Sequence, residues 1–185
     1  MIKRKPNRLG DYDYSQDGYY FITICTQNRE EWFGKIEKEQ KTLNGYGEVA
    51  KDFWVEIPPH FDDVKIDEFT IMPNHMHGIL IVEKNRVGNA YMRSLQDRTK
   101  MLLSKTVQQF KSSVTRKIHS IQNDFKFQWQ KSFYDHIIRN EKSLSHVRQY
   151  IVDNPLKWDL DRENPLSKNF NLDKDLYWKE MYDQM

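Results

Sequence analysis

Residues 73–82 read Pro-Asn-His-Met-His-Gly-Ile-Leu-Ile-Val, and no other stretch restricts the fold as strongly. Aliphatic and β-branched residues fill it after a Pro-Asn turn, so it predicts a strand. Residues 64–72 just before it, with Val64, Ile66, Phe69 and Ile71, predict another. So short a link implies that the two strands pair antiparallel. Side chains alternate across a strand, so His75, His77, Ile79 and Ile81 share one face, and Met76, Leu80 and Val82 the other. Gly78 reads as room for a close backbone approach, such as that of a substrate. Two imidazoles at neighbouring same-face positions can reach one divalent ion. Two nitrogens are too few for a structural zinc site, so an ion with open positions fits better. The competing reading is a hydrogen-bonded core histidine beside an incidental one, because six histidines make chance pairs common.

Further elements follow from the same kind of pattern. Residues 19–26, Tyr-Tyr-Phe-Ile-Thr-Ile-Cys-Thr, read as a strand. In 44–57, Val49, Phe53 and Ile57 fall four apart, the stripe of a short helix stopped by Pro58-Pro59. Residues 85–97 contain Gly88, lack periodicity and read as a linker. Leu103, Val107, Phe110, Val114, Ile118 and Ile121 then mark an amphipathic helix. Residues 129–138 suit a strand or loop. A helix over 143–154, capped by a serine, turns Leu144, Val147 and Ile151 inward and ends at Asn154-Pro155. Antiparallel strands mixed with a few helices give an α+β fold, helices packed on a sheet.

At 185 residues the chain suits one domain, here 1–155, with 156–185 as an acidic, aromatic tail packed on it. That tail either covers a binding groove or finishes the fold. The net charge is only +2, so distribution matters more than the total. Lys3, Arg4, Lys5 and Arg8 come without an acid. From Arg98 to Lys131 eight Lys or Arg, among them Lys105, Lys111, Arg116 and Lys117, face only Asp124. Such stripes suit phosphate contacts, although a solvated helix face accounts for the second equally well. The lone Cys25 rules out an internal disulfide and a cysteine zinc cluster and fits a reducing compartment. With no apolar run of membrane-spanning length and no signal-peptide core, a soluble intracellular protein is expected.

Tyr150 and Asn154 lie one helical turn apart and so share a side. A phenol beside a carboxamide offers a nucleophile and an oxygen ligand, provided a cation or base activates the phenol. Tyr150 also reads as a half-buried aromatic beside Val147 and Ile151, and Tyr134 is an equal candidate nucleophile. Spacing does not choose between them.

Four blocks together resemble the REP-associated tyrosine transposases, relatives of the single-strand insertion-sequence transposases in the HUH nuclease superfamily. They are 8–14 running into 20–26; Met72-Pro73-Asn74-His75-Met76-His77-Gly78; 129–140; and Tyr150-Ile151-Val152-Asp153-Asn154-Pro155. The resemblance implies an HUH, ferredoxin-like sandwich. It implies that His75, His77 and Asn154 hold Mg2+ or Mn2+, although other family members carry glutamine at the position of Asn154. It also implies that Tyr150, not Tyr134, attacks a phosphate of single-stranded DNA to give a 5′-phosphotyrosine and a free 3′-hydroxyl. Hairpin repeat DNA is the implied substrate. Lys3, Arg4, Lys5 and Arg8 would meet the foot of the hairpin, and Lys105, Lys111, Arg116 and Lys117 its stem. His136, Arg139 and Tyr134 are expected near the site. A cytoplasmic, nucleoid-associated protein of a prokaryotic cell, acting as a monomer, completes the expectation. The alternatives are a hairpin-DNA-binding protein that no longer nicks, and a water-using metal phosphodiesterase.

Overall fold

A computed structural model describes residues 17–83, 92–122, 125–167 and 170; side chains between 92 and 101 and at 122 are not described. Four strands form one antiparallel sheet: β1 (Gly18–Cys25), β4 (Val64–Ile71), β5 (His75–Val82) and β6 (Tyr134–Ile138), in the order β4-β5-β1-β6. Strands β2 (Gly34–Glu37) and β3 (Gln40–Leu43) make a separate hairpin. The helices are α1 (Gly45–Val55), the single turn α2 (Ile57–His60), α3 (Met92–Gln122) and α4 (Glu141–Asp153), and a 3-10 segment covers Asn154–Leu160. Setting the hairpin aside, the order β1-α1-β4-β5-α3-β6 is a split βαβ arrangement, as in ferredoxin-like sandwiches. The α+β class, with an antiparallel sheet and helices on its faces, is therefore the observed architecture.

Alternation along the strands divides the core in two. Tyr20, Ile22 and Ile24 of β1 and Met76, Leu80 and Val82 of β5 pack with Ala50 and Trp54 of α1 and Leu103, Val107, Phe110, Val114 and Ile118 of α3. On the other face Phe21, Ile79 and Ile138 meet Leu144, Val147, Tyr150 and Ile151 of α4. The histidines lie on this second face. Helix α4 is also tied to the sheet edge. Arg148 reaches Asp67 in a forked contact of 2.6–3.1 Å, where β4 shifts register between Ile66 and Phe69.

Several elements differ from the expectation. The buried face of α1 is Gly47, Ala50 and Trp54, with Val49 and Phe53 only partly covered. Small residues decide this: a Cβ on Gly47 would sit 2.2 Å from the Phe33 carbonyl oxygen. Gly78 is not open to a substrate, because the buried Trp54 ring fills that space, 2.5 Å from where a Cβ would stand. The linker expected over 85–97 gives way to helix at Met92, since nothing after Gly88 halts α3; residues 84–91 lie outside the described residues. Ile121 is half exposed. A 31-residue helix runs about 46 Å, well past an eight-residue strand of about 27 Å. Asn140, not a serine, caps α4 by accepting from the Ser143 amide at 2.8 Å. Among the described residues no helix is long and apolar enough to cross a membrane.

Candidate active site

The strand β5 carries His75 and His77 onto the α4 face, and each ring is held through Nδ1. Asn74 Oδ1 lies 2.8 Å from His75 Nδ1. The Asn74 amide nitrogen already donates to the carbonyls of Arg29 and Glu163, so this Oδ1 is an acceptor and His75 Nδ1 bears the proton. Thr23, directly opposite His77 in the β1–β5 register, places its hydroxyl 2.9 Å from His77 Nδ1. The two Nε2 atoms then converge at 3.0 Å. Phe21 stacks on the His77 ring and Trp158 on the His75 ring, at centroid distances of 5.2 and 5.9 Å. Burial, reinforced by the neighbouring His77, pushes His75 well below its ordinary range, so its ring is neutral at pH 7.

Helix α4 brings Tyr150 over this pair. Its hydroxyl lies 3.1 Å from His77 Nε2 and donates to Asp161 Oδ2 at 3.4 Å. Tyr134 is farther away. It pairs with Thr23 on the far side of β1, two strands from His77 and so about 10 Å off by strand spacing. His136 pairs with Phe21 and shares this face; burial, then the nearby Arg139, lowers it. Arg139 is exposed beyond β6, near Tyr19 and the opposite end of β1 from Cys25.

Asn154 is fully buried. Its amide nitrogen donates to Asp161 Oδ2 at 2.6 Å, while its Oδ1 has no hydrogen-bond partner among the described residues. Asp161 was not foreseen, and it lies beyond residue 155, in the segment set apart as a tail. Burial alone would raise its carboxyl, but His75, His77 and the Asn154 amide hold it well below the usual carboxylate range. Its Oδ2 is 4.0 Å from His75 Nε2 and 3.9 Å from His77 Nε2. The following residues fasten the segment down. Glu163 pairs with Arg29, its carbonyl accepts from Asn74, and its amide donates to Asp161 Oδ1 at 2.6 Å. Asp161, Arg162, Glu163 and Asn164 are all buried, although four consecutive polar residues carry the sequence signature of a surface loop. The only hint was Trp158 shortly before them.

The donor set could hold a divalent ion. His75, His77 and Asp161 each offer one atom, all within 4.8 Å of one another. The Nε2 pair is 3.0 Å apart and Asp161 Oδ2 lies 4.0 and 3.9 Å from its two members, close enough for one ion to reach all three. Two imidazole nitrogens and a carboxylate oxygen buried together are costly without a cation or proton among them, and Asn154 Oδ1, with no partner among the described residues, is a second oxygen donor nearby.

The basic residues are spread differently. Lys105, Arg116 and Lys117 are exposed on α3, across the sheet from the histidines. Lys111 donates to the carbonyl oxygens of Gln130 at 2.6 Å and Lys131 at 3.4 Å, and burial lowers its pKa. Lys3, Arg4, Lys5 and Arg8 lie outside the described residues.

The sequence model of the IS200-like transposases matches residues 14–154, which span every element from β1 to α4. The chain belongs to the IS200-like transposase family. Among its relatives in this family's neighbourhood, an uncharacterized protein of Haemophilus influenzae is 39% identical over 166 residues, covering 86% of this chain and 92% of that one. Another H. influenzae protein, whose name places it among the REP-associated tyrosine transposases, is 27% identical over 149 residues, 78% of this chain and 74% of its own. A solved REP-associated tyrosine transposase bound to a REP hairpin aligns with 22% identity and a TM-score of 0.48, over 76% of this chain and 68% of that one. In this IS200-like transposase Tyr150 of α4 stands beside the paired histidines.

Proposed function

We propose that this transposase cleaves and rejoins single-stranded DNA at hairpin repeats through a covalent 5′-phosphotyrosine at residue 150. The observation that carries the reading is the Tyr150 hydroxyl, 3.1 Å from His77 Nε2 and 3.4 Å from Asp161 Oδ2, within one chain. That contact also favours a monomer able to complete its own site. His75, His77 and Asp161 would hold Mg2+ or Mn2+, with Asn154 as a further oxygen donor. Such an ion, when bound, supplies positive charge for the non-bridging phosphate oxygens during in-line displacement.

The chain's own residues do the rest. Thr23 and Asn74 hold the imidazoles with Nε2 inward. The Tyr150 oxygen bonds to phosphorus as the P–O3′ bond breaks; the phenol proton passes to water, and water returns a proton to the departing oxygen, which becomes a 3′-hydroxyl. Asp161 Oδ2, which accepts from the phenol before DNA arrives, orients the attacking oxygen. Reversal by a 3′-hydroxyl regenerates Tyr150, so the cycle needs no external energy source. The catalytic unit, on this reading, extends beyond residues 1–155 to include 156–164. Exposed Lys105, Arg116 and Lys117 are assigned to phosphates of a hairpin stem that wraps past the sheet.

The test is a denaturing gel of protein incubated with labelled hairpin oligonucleotides and Mg2+ or Mn2+. A covalent band is expected that vanishes in Tyr150→Phe and persists in Tyr134→Phe. Cleavage without a covalent band supports a water-using phosphodiesterase instead, and binding without cleavage a non-nicking DNA-binding protein.

A further inference from the structure

Past the end of β1, joined to the histidine pair through Asn74, lies a cavity of about 460 Å³ that the reaction above does not use. Gln27, Asn28 and Arg29 form one wall, Gln130 and Lys131 another, and Phe170 stands at the rim. The two polar walls are stitched together by backbone. Gln27 N–H donates to the Gln128 carbonyl at 2.8 Å, Gln130 N–H to the Cys25 carbonyl at 2.9 Å, and Thr26 bridges Trp129. Asn28 and Arg29 both hold positive φ, 56° and 60°, a conformation costly for side chains other than glycine. It persists because Asn74 pins the Arg29 carbonyl at 3.1 Å and Glu163 pairs with the Arg29 guanidinium. The same Asn74 orients His75, so one side chain joins this cavity to the site.

The lining is specific in kind. Three carboxamides line it, Gln27 donating to Asn28 Oδ1 over a long 3.4 Å, and a carboxamide carries both the donor and the acceptor that read the edge of a nucleobase. Lys131 is exposed at the rim for a phosphate, and the part-exposed Phe170 ring offers a stacking face. Among the described residues that line it there is no carboxylate, which would repel a phosphodiester. The volume falls in the range of small-ligand sites, about 300–1,000 Å³.

We propose that this cavity binds one unstacked nucleotide of the single strand beside the scissile phosphate, with Gln27 and Gln130 reading its base. The inference rests on the single-strand reading above and adds to it the residues that set sequence choice.

The probe is a pool of DNA hairpins with randomised single-stranded nucleotides flanking the stem on both sides, and protein-bound molecules are sequenced. The wild type is expected to enrich one base at one flank position by on the order of tenfold. Gln27→Ala/Gln130→Ala loses that preference and keeps the stem. Phe170→Ala, a surface change that leaves the two walls intact, weakens the same position. A preference unchanged in both variants overturns the proposal, as does a wild type that retains none of the pool. Flat selection by a wild type that still forms the Tyr150 adduct overturns the subsite alone. Positional preference without any adduct supports the subsite and defeats the transesterase reading.

Discussion

Asp161→Asn separates the two oxygen donors in the site. The change is isosteric, keeps an oxygen for the Asn154 amide that now donates at 2.6 Å, and removes the one carboxylate clustered with His75 and His77 among the described residues. Without metal the effect on folding is moderate. A hydrogen bond to a charged acceptor becomes a neutral one and the buried Glu163 amide, which now donates to Oδ1, loses its acceptor, together a loss of about 2–3 kcal/mol, offset in part because a buried charge no longer has to be desolvated. The melting temperature should therefore fall by roughly 4–12 °C. With metal the loss is larger. Outer partners that merely orient a ligand are worth about 10- to 100-fold in metal affinity. Loss of an anionic ligand should reach the upper end, about 100-fold or 2.8 kcal/mol. Asn154→Ala, which removes a neutral oxygen and one hydrogen bond to Asp161, should cost about tenfold. Mn2+ titration followed by the electron paramagnetic resonance signal of the free ion reads both variants without DNA. Asp161→Asn binding Mn2+ as tightly as wild type, with Asn154→Ala the weaker, would refute the assignment and return the third ligand position to Asn154.

Other perturbations test the supports of the site. Gly78→Ala should destabilise by about 1–3 kcal/mol, as overpacking does, because its Cβ would meet the Trp54 ring at 2.5 and 2.9 Å; an unchanged chemical-denaturation midpoint would contradict this packing. Thr23→Val removes the hydroxyl at His77 Nδ1 and should weaken Mn2+ binding by about 10- to 100-fold with little change in the circular dichroism spectrum. His75 and His136 are both lowered by burial. The unfolded chain takes up protons below about pH 6.5 that the folded chain resists. Metal-free stability should thus be full above that pH and fall as pH drops from about 7 to 5. A melting temperature that rises on acidification would contradict the burial of these rings.

Strands β1 and β5 were legible because they are apolar, and the β4–β5 pairing because its link is short, whereas β6 and the strand order were not. Alternation along 75–82 sorted the two core faces correctly: Met76, Leu80 and Val82 lie with α1 and α3, and Ile79 and Ile81 with α4. The hairpin β2–β3 was not legible. Its turn residues Lys38 and Glu39 both adopt positive φ, a geometry that Asn-Gly usually announces, and its strands are largely exposed and charged. The histidine pair was visible as spacing, but Asp161 was not. Its carboxylate is tolerated in the interior because Asn154, the Glu163 amide and the imidazoles surround it, and the imidazoles, which give it a purpose there, lie more than eighty residues earlier in the sequence. The same limit applies to the basic residues. Lys111 looked like its neighbours on a charged helix face, yet its ammonium serves the 130–131 carbonyls.

The central claim is that Tyr150 is the nucleophile, and peptide mapping by mass spectrometry of protein trapped on hairpin DNA with Mn2+ tests it most directly. The account predicts a nucleotide remnant on the α4 peptide that contains Tyr150, bonded through a 5′-phosphate. A remnant on the β6 peptide at Tyr134, or cleaved DNA with no modified tyrosine, would contradict it.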